Sequence, residues 1–293
     1  MLDRNEIIGI IGAGRVGSAL ARLFCREGYT ISTVVDSDVE KARSCLKACD
    51  GGMGASDIRE LNPETTAVFV SVPDDRIVQV GRVLVESDVL RSGMVVAHTS
   101  GLLPADILQP AHCTDISVCS FHPCFSFTED FRGDLKGVHI ALEGDAEGCR
   151  RLNKLAESIG GKPFILSKEK KPLYHAACAM ASNYMVALMH LVQTALRGTD
   201  GDEGFRRVLP LVRGTLENIE RVGVERALTG PILRGDTRTV HKHLEALSEL
   251  DPRLTSPYIV LGKATLRIAE ERGLEPEKIR SVEEVLLRFE RVQ

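Results

Sequence analysis

The spacing of hydrophobic positions changes character partway along this chain. In the first half, short runs that are apolar at nearly every position alternate with stretches of helical spacing. Continuous apolar runs suit strands buried on both faces. They predict strands over 7–11, 30–35, 67–72, 94–97, 116–121, 138–142 and 163–166. Between them the spacing predicts helices over 18–24, 40–46, 75–86, 102–108 and 145–159. After Ser167 the strand signals stop, in the charged run Lys168-Glu169-Lys170-Lys171-Pro172. Helical patterns follow over 174–196, 205–221, 237–248, 257–272 and 276–291, the first being the longest. The chain thus divides into an alternating strand–helix domain, 1–167, and an all-helical domain, 168–293.

The first strand runs directly into Gly12-Ala13-Gly14-Arg15-Val16-Gly17, a Gly-x-Gly-x-x-Gly turn that leads into a helix. Gly12 permits the tight turn, Gly14 lets the backbone approach a pyrophosphate, and Gly17 allows close helix–strand packing. The helix N-terminus offers unpaired N–H groups and a partial positive charge. Asp36 follows the second strand, 22 residues beyond Gly14, where such folds bond ribose hydroxyls. The pattern predicts an α/β fold with a Rossmann-type, mostly parallel sheet that binds a nicotinamide dinucleotide, NAD or NADP. The carboxylate of Asp36, followed by Ser37 and Asp38 rather than arginine, favours NAD. The alternative is that this acid and its neighbours cap the next helix.

Composition narrows the partners. At 43% hydrophobic residues the chain can bury a core, and without tryptophan that core is aliphatic. A formal charge of −4 gives no electrostatic case for nucleic acid or an anionic membrane. The N-terminal residues do not resemble a signal peptide. Eight scattered cysteines suggest reduced thiols and a cytoplasmic protein, with Cys45 and Cys49 as small core residues.

In an open parallel sheet the loops after the strands line one edge, where ligands bind. Ser71, Val72 and Pro73, then His98, Thr99 and Ser100, then His122, each follow a strand and should gather beside the glycine turn. This requires the strand before His122 to be parallel to the others. Arg15, Val16, Ser71, Val72, Pro73 and Thr99 are therefore expected to touch the cofactor, with Gly12, Gly14, Gly17 and Asp36. His122 suits proton transfer near neutral pH; otherwise it holds a loop carbonyl. Ser100 can bond the same substrate atom, or cap the 102–108 helix. His98 is weaker, because it can belong to its strand.

In the helical domain His175, Ser182 and Asn183 lie on nearby faces if 174–196 is one helix. They line the substrate pocket, or are satisfied core groups or dimer contacts. Arg234 can clamp a carboxylate, or pair with Asp236. His112, Cys113, Cys119, His122 and Cys124 look like metal ligands by composition. They lack paired Cys-x-x-Cys spacing, so no metal is expected.

These residues carry a resemblance. Val70-Ser71-Val72-Pro73-Asp74-Asp75, His98-Thr99-Ser100-Gly101, Phe121-His122-Pro123, Tyr174-His175-Ala176-Ala177, Ser182-Asn183-Tyr184 and Leu228-Thr229-Gly230-Pro231 with Arg234-Gly235-Asp236 resemble a family of NAD(P)-dependent oxidoreductases. The family pairs a Rossmann-like domain with a helical domain of unknown function, an arrangement like that of 6-phosphogluconate dehydrogenase. The resemblance implies a homodimer built through the helical domains. The N-terminal half is also similar to prephenate and arogenate dehydrogenases, and more distantly to pyrroline-carboxylate and ketopantoate reductases. In prephenate enzymes a serine and the histidine of a His-Pro pair bond the reacting hydroxyl, and Ser100 and His122 match those places. The acid before Gly-Ser and the lysine after it are missing here, which implies another substrate. Lys171 and Asn183 resemble the ketopantoate enzymes' helical lysine and asparagine, at different spacing.

The expectation is an oxidoreductase that passes hydride between nicotinamide and a carbonyl, carbinol or imine carbon of a small carboxylate-bearing substrate. His122 handles the proton and Ser100 orients the substrate, with His175, Asn183 and Arg234 completing the pocket. The alternatives are a prephenate-type dehydrogenase and a dinucleotide-binding sensor without turnover.

Overall fold

In a computed structural model, which describes residues 5–108, 115–199 and 201–291, the chain divides into two compact units, 1–182 and 183–293. The first unit is built on an eight-stranded sheet of order β3-β2-β1-β4-β5-β6-β7-β8. Its strands are β1 (Ile7–Ile11), β2 (Thr30–Val35), β3 (Met53–Ala55), β4 (Ala67–Val70), β5 (Val95–His98), β6 (Ser117–Pro123), β7 (His139–Gly144) and β8 (Lys162–Ile165). Neighbours pair in parallel except β6 with β7. The strand that carries His122 is thus parallel to β5, as the convergence argument requires. β3 has no counterpart in the apolar pattern, since three residues are too few to show one.

Alternate side chains of each strand enter different cores, the period-2 consequence of the pleat. Ile8, Ile10, Phe69, Ala97 and Phe121 pack on one face with Leu20 and Phe24 of α1 (Arg15–Arg26) and Leu152 of α4 (Ala146–Ser158). Ile11, Val68, Val70 and Val96 pack on the other with Ile77 and Leu84 of α3 (Asp74–Glu86). Between β2 and β3 runs α2 (Val39–Leu46), and the unit closes with α5 (Lys171–Ala181).

The thiols differ from expectation. Cys25, in the last turn of α1, is disulfide-bonded to Cys49, just beyond α2, with Cα atoms 5.4 Å apart. Cys49 is therefore not a free core thiol, and cysteine usage no longer argues for a reducing compartment. Cys45, Cys119 and Cys149 are free and buried.

The second unit is helical: α6 (Asn183–Leu196), α7 (Gly201–Val222), α8 (Val224–Ala227), α9 (Pro231–Arg234), α10 (Thr237–Leu250), α11 (Thr255–Glu271) and α12 (Pro276–Glu290). Ile232, Val240, Leu244, Ile259, Leu266, Val282 and Leu286 form its core. The single helix expected over 174–196 is two helices, interrupted at Ser182 (φ −109°, ψ −70°). Serine and asparagine side chains can compete for backbone hydrogen bonds, so Ser182 and Asn183 are poor residues for a helix interior. The longest helix is instead α7, 22 residues. Among the described residues no helix is long and apolar enough to cross a membrane.

Candidate functional site

The parallel register brings Val35, Ile11, Val70, His98 and Ser120 into one row across β2, β1, β4, β5 and β6. The residues after that row share the carboxyl edge of the sheet. Gly12 and His122 therefore lie on the same edge, about 15 Å apart across three strand spacings.

At one end stands the glycine turn. Gly12 has φ +100°, and a Cβ there would run into the backbone carbonyl of Ser71. A Cβ on Gly17 would strike the carbonyl of Gly12, so helix and turn touch directly. Gly14, by contrast, faces open space: a Cβ there meets nothing within 4 Å. It is the N-cap of α1 and supplies no side-chain hydrogen bond, and the first turn holds no acid. α2 and α4 are finished differently, by the carboxylates of Asp38 and Asp145. The first amides of α1, those of Arg15, Val16 and Gly17, thus lack a side-chain acceptor at a helix end that favours anions. That open cradle fits the pyrophosphate of a dinucleotide.

Asp36 stands beside it. Its Oδ2 accepts the N–H of Ala13 at 2.8 Å and its Oδ1 that of Asp38 at 3.0 Å. Asp38, not Asp36, caps α2, through the amides of Glu40 and Lys41. Asp36 is left at the rim of the turn, half-buried. Farther along, Thr99 Oγ1 donates to Ser71 Oγ at 3.3 Å, which joins the ends of β4 and β5. Val72 is half-buried and Pro73 precedes the first residue of α3.

Ser100 takes the capping role. Its hydroxyl donates to Asp74 Oδ2 at 2.8 Å and accepts the N–H groups of Leu102 and Leu103 at 3.1 and 3.0 Å. The donor that a substrate would use is committed, and the residue is 6% exposed. The helix expected at 102–108 is only a short turn, Ala105–Leu108. His98 ends β5 fully buried; its Nδ1 accepts the Ser100 N–H and its Nε2 meets the Pro104 carbonyl at 3.1 Å. Burial holds its pKa down to about 4, so it stays neutral.

His122 is placed by its neighbours in β6. Phe121 enters the core against Phe69, ring centroids 5.2 Å apart, which turns Ser120 and His122 to the opposite face. α5 lies over that face. Lys171 Nζ donates to Ser120 Oγ, and the Tyr174 hydroxyl meets His122 Nδ1 at 3.2 Å. Cys178 Sγ meets Cys124 Sγ at 3.5 Å. Positions i, i+3 and i+7 of the helix thus pair with Ser120 and His122 of β6 and with Cys124, the residue that follows it. His175 stands beside His122, ring centroids 5.9 Å apart. A Cβ on Gly101 would come within 2.7 Å of both His122 Nε2 and His175 Cδ2, so only a glycine lets this turn pack so closely against the two rings. Burial first, then the His175 and Lys171 charges, push the His122 pKa down to about 4.

Lys171 is 1% exposed. Besides Ser120, its ammonium reaches the Ser100 carbonyl at 3.5 Å and Glu143 Oε2 at 3.6 Å. Burial pulls its pKa down against the pull of Glu143. The sequence set Lys171 in the charged boundary run and gave it only a likeness to the ketopantoate enzymes' lysine; its burial and the place of Tyr174 beside His122 were not foreseen, and the i, i+3, i+7 stripe was the available signal.

Asn183 and Arg234 belong to the second unit, so His175 and Asn183 do not share a helix face as expected. Arg234 ends α9 exposed, and Asp236 spends its carboxylate on Thr239. Of the metal-like constellation, His112 and Cys113 lie outside the described residues. Cys119 is buried in β6, and no group of three metal-binding side chains occurs among the described residues.

Known proteins share this architecture. Residues 3–123 match the Rossmann-like domain, and residues 138–265 match DUF2520, a domain of unknown function. A Bacteroides fragilis protein named a "putative NADP oxidoreductase" superposes with TM-score 0.78 at 23% identity, covering 90% of this chain and all of that one. A Thermotoga maritima protein is 29% identical, with TM-score 0.70, covering 91% and 99%. An imine reductase from a Pseudomonas species is 18% identical, with TM-score 0.62, covering 96% and 99%. No curated protein matches the chain.

Proposed function

For a chain that joins a Rossmann-like domain to a DUF2520 domain, we propose an NAD(P)-dependent oxidoreductase. It acts on a carbonyl, carbinol or imine carbon of a small carboxylate-bearing substrate. The observation that carries this reading is the open, uncapped start of α1 at Gly14, on the same strand edge as His122. Named functions of similar folds, an NADP oxidoreductase and an imine reductase, support it.

The amides of Arg15, Val16 and Gly17 hold the pyrophosphate, and Asp36 accepts from the ribose hydroxyls. A nicotinamide dinucleotide bound there supplies or accepts the hydride. His122 moves the proton. With Nδ1–H donated to the Tyr174 oxygen, Nε2 presents a lone pair beside Gly101. Its low pKa leaves that lone pair unprotonated at neutral pH, and His122 accepts the proton of a hydroxyl or ammonium group as hydride leaves the carbon. The reverse reaction returns it.

The test is nucleotide binding by wild type and Gly14→Val, followed by nicotinamide fluorescence. The backbone at Gly14 (φ −72°, ψ −170°) accepts any residue and the space is open, so the variant should melt like wild type. Its affinity should fall by roughly tenfold or more, because the new side chain fills the pyrophosphate approach. Equal binding by both proteins would remove the cradle from the argument. In wild type NADH should bind more tightly than NADPH, since Asp36 repels a ribose phosphate; tighter NADPH binding would overturn that preference. Binding without turnover on a panel of hydroxy, keto and imino acids, prephenate among them, would favour a sensor.

The proposal includes a homodimer. Leu173, Met180, Tyr184, Val186 and Leu211 are each at least 63% exposed. α6 buries none of its side chains, and an apolar hollow of about 600 Å³ opens among Leu188, Leu191, Leu247, Tyr258 and Leu261. A second copy would cover such surface. Light scattering should give twice the chain mass.

A further inference from the structure

The third rung between α5 and β6 is chemically unlike the other two. Cys124 and Cys178 are both free thiols, with sulfurs 3.5 Å apart. Cys124 is exposed and Cys178 half-buried. The Tyr174 hydroxyl lies within hydrogen-bonding reach of both sulfurs. A disulfide needs a sulfur separation of about 2.05 Å, so the two must close by about 1.5 Å. The exposed Cys124 side chain has room for that movement.

We propose that Cys124 and Cys178 are a modification site, forming a reversible disulfide that fastens α5 to the carboxyl end of β6. The oxidant is a low-molecular-weight disulfide of the glutathione class. The thiolate of Cys124 attacks one of its sulfurs; the S–S bond breaks and one thiol departs with a proton. Cys178 then attacks the Cys124 sulfur of the mixed disulfide. The new S–S bond forms and the second thiol leaves with the second proton. Two cysteine thiols are oxidised and one disulfide is reduced to two thiols. Burial pushes the Cys178 thiol up, which leaves Cys124 to attack first.

The remaining described cysteines do not compete, since Cys45, Cys119 and Cys149 are buried and Cys25 is already bonded to Cys49. Closure acts where it matters for the site: Cys124 is two residues from His122, and Cys178 is one helical turn from Tyr174.

The experiment uses the full-length protein in native buffer with oxidised glutathione, quenched by alkylation and mapped by peptide mass. A peptide pair linked through Cys124 and Cys178, lost on adding dithiothreitol, is the expected product. Cys124→Ser and Cys178→Ser should each yield no such pair. Stable glutathione adducts, or two alkylated thiols in wild type, would overturn the proposal. Hydrogen exchange supplies the second readout: amides of α5 should slow by about threefold or more in the oxidised form. A linked pair with unchanged exchange would show that nothing is fastened. Neither readout depends on hydride transfer, so this proposal and the oxidoreductase reading stand or fall separately.

Discussion

His122→Ala is expected to lower turnover by roughly a hundredfold to ten-thousandfold, the worth of a positioned acid–base group. The assay is the change in nicotinamide absorbance on whichever hydroxy, keto or imino acid wild type converts. Nucleotide affinity should be unchanged, because His122 lies three strands from the glycine turn. Wild-type turnover in the variant would remove the histidine from the mechanism. The pH dependence is a sharper version of the same test. An ordinary histidine base would lose activity below about pH 6.5. Burial, with His175 and Lys171 beside it, holds His122 down to about 4, so kcat/KM should stay level through neutrality and fall only as pH drops through about 4. Stability carries the opposite mark. His122 and His98 both have folded pKa values below their unfolded ones. Between about pH 6.5 and 4 the unfolded chain binds more protons, so acidification destabilises the fold across that window. The fully buried His98 should contribute about 3 kcal/mol of this loss.

Lys171→Met should cost about 3–5 kcal/mol of stability in the first unit. The ammonium is buried, and its loss leaves the Glu143 carboxylate, 11% exposed, without its cation. Glu143 would keep only its bond from the Ala105 N–H at 2.7 Å. Urea unfolding followed by circular dichroism reads the effect. Adding Glu143→Gln should recover part of it, because the uncompensated charge is then gone. A single variant within about 1 kcal/mol of wild type would mean that water or relaxation already satisfies this cluster. Through the Ser100 carbonyl, Lys171 also supports the turn that keeps Gly101 against His122. It is a positioning residue.

Most of the sheet could be read from the chain because strands such as β1 and β4 are apolar at nearly every position, short, and bounded by turn residues, the pattern of a strand covered on both sides. The edge could be read because parallel strands must expose their carboxyl ends together. Together with the glycine spacing, those two rules put Gly14, Asp36 and His122 on one edge of the sheet without any contact being known. What failed was pairwise. Ser100 sits in a polar turn that suits either substrate or cap, and only the position of Asp74, 26 residues earlier, decides between them. Lys171 lay in a run of charges that suggests solvent, and its burial follows from how α5 docks, which no local window contains. Cys25 and Cys49 are apart in sequence and adjacent only once α1 and α2 pack on the same face. The break at Ser182 was missed because apolar residues on both sides of it keep helical spacing across it.

The ladder between α5 and β6 also constrains chain length. Three matched pairs depend on a helix that turns about 100° per residue and a strand that reverses at every residue. One residue gained or lost between Ser120 and Cys124 would aim His122 or Cys124 into the core around Phe69. One gained or lost between Lys171 and Tyr174 would swing the tyrosine about a quarter-turn away. Evolutionary drift in this protein should therefore show indels in the 125–134 loop and none within either side of the ladder.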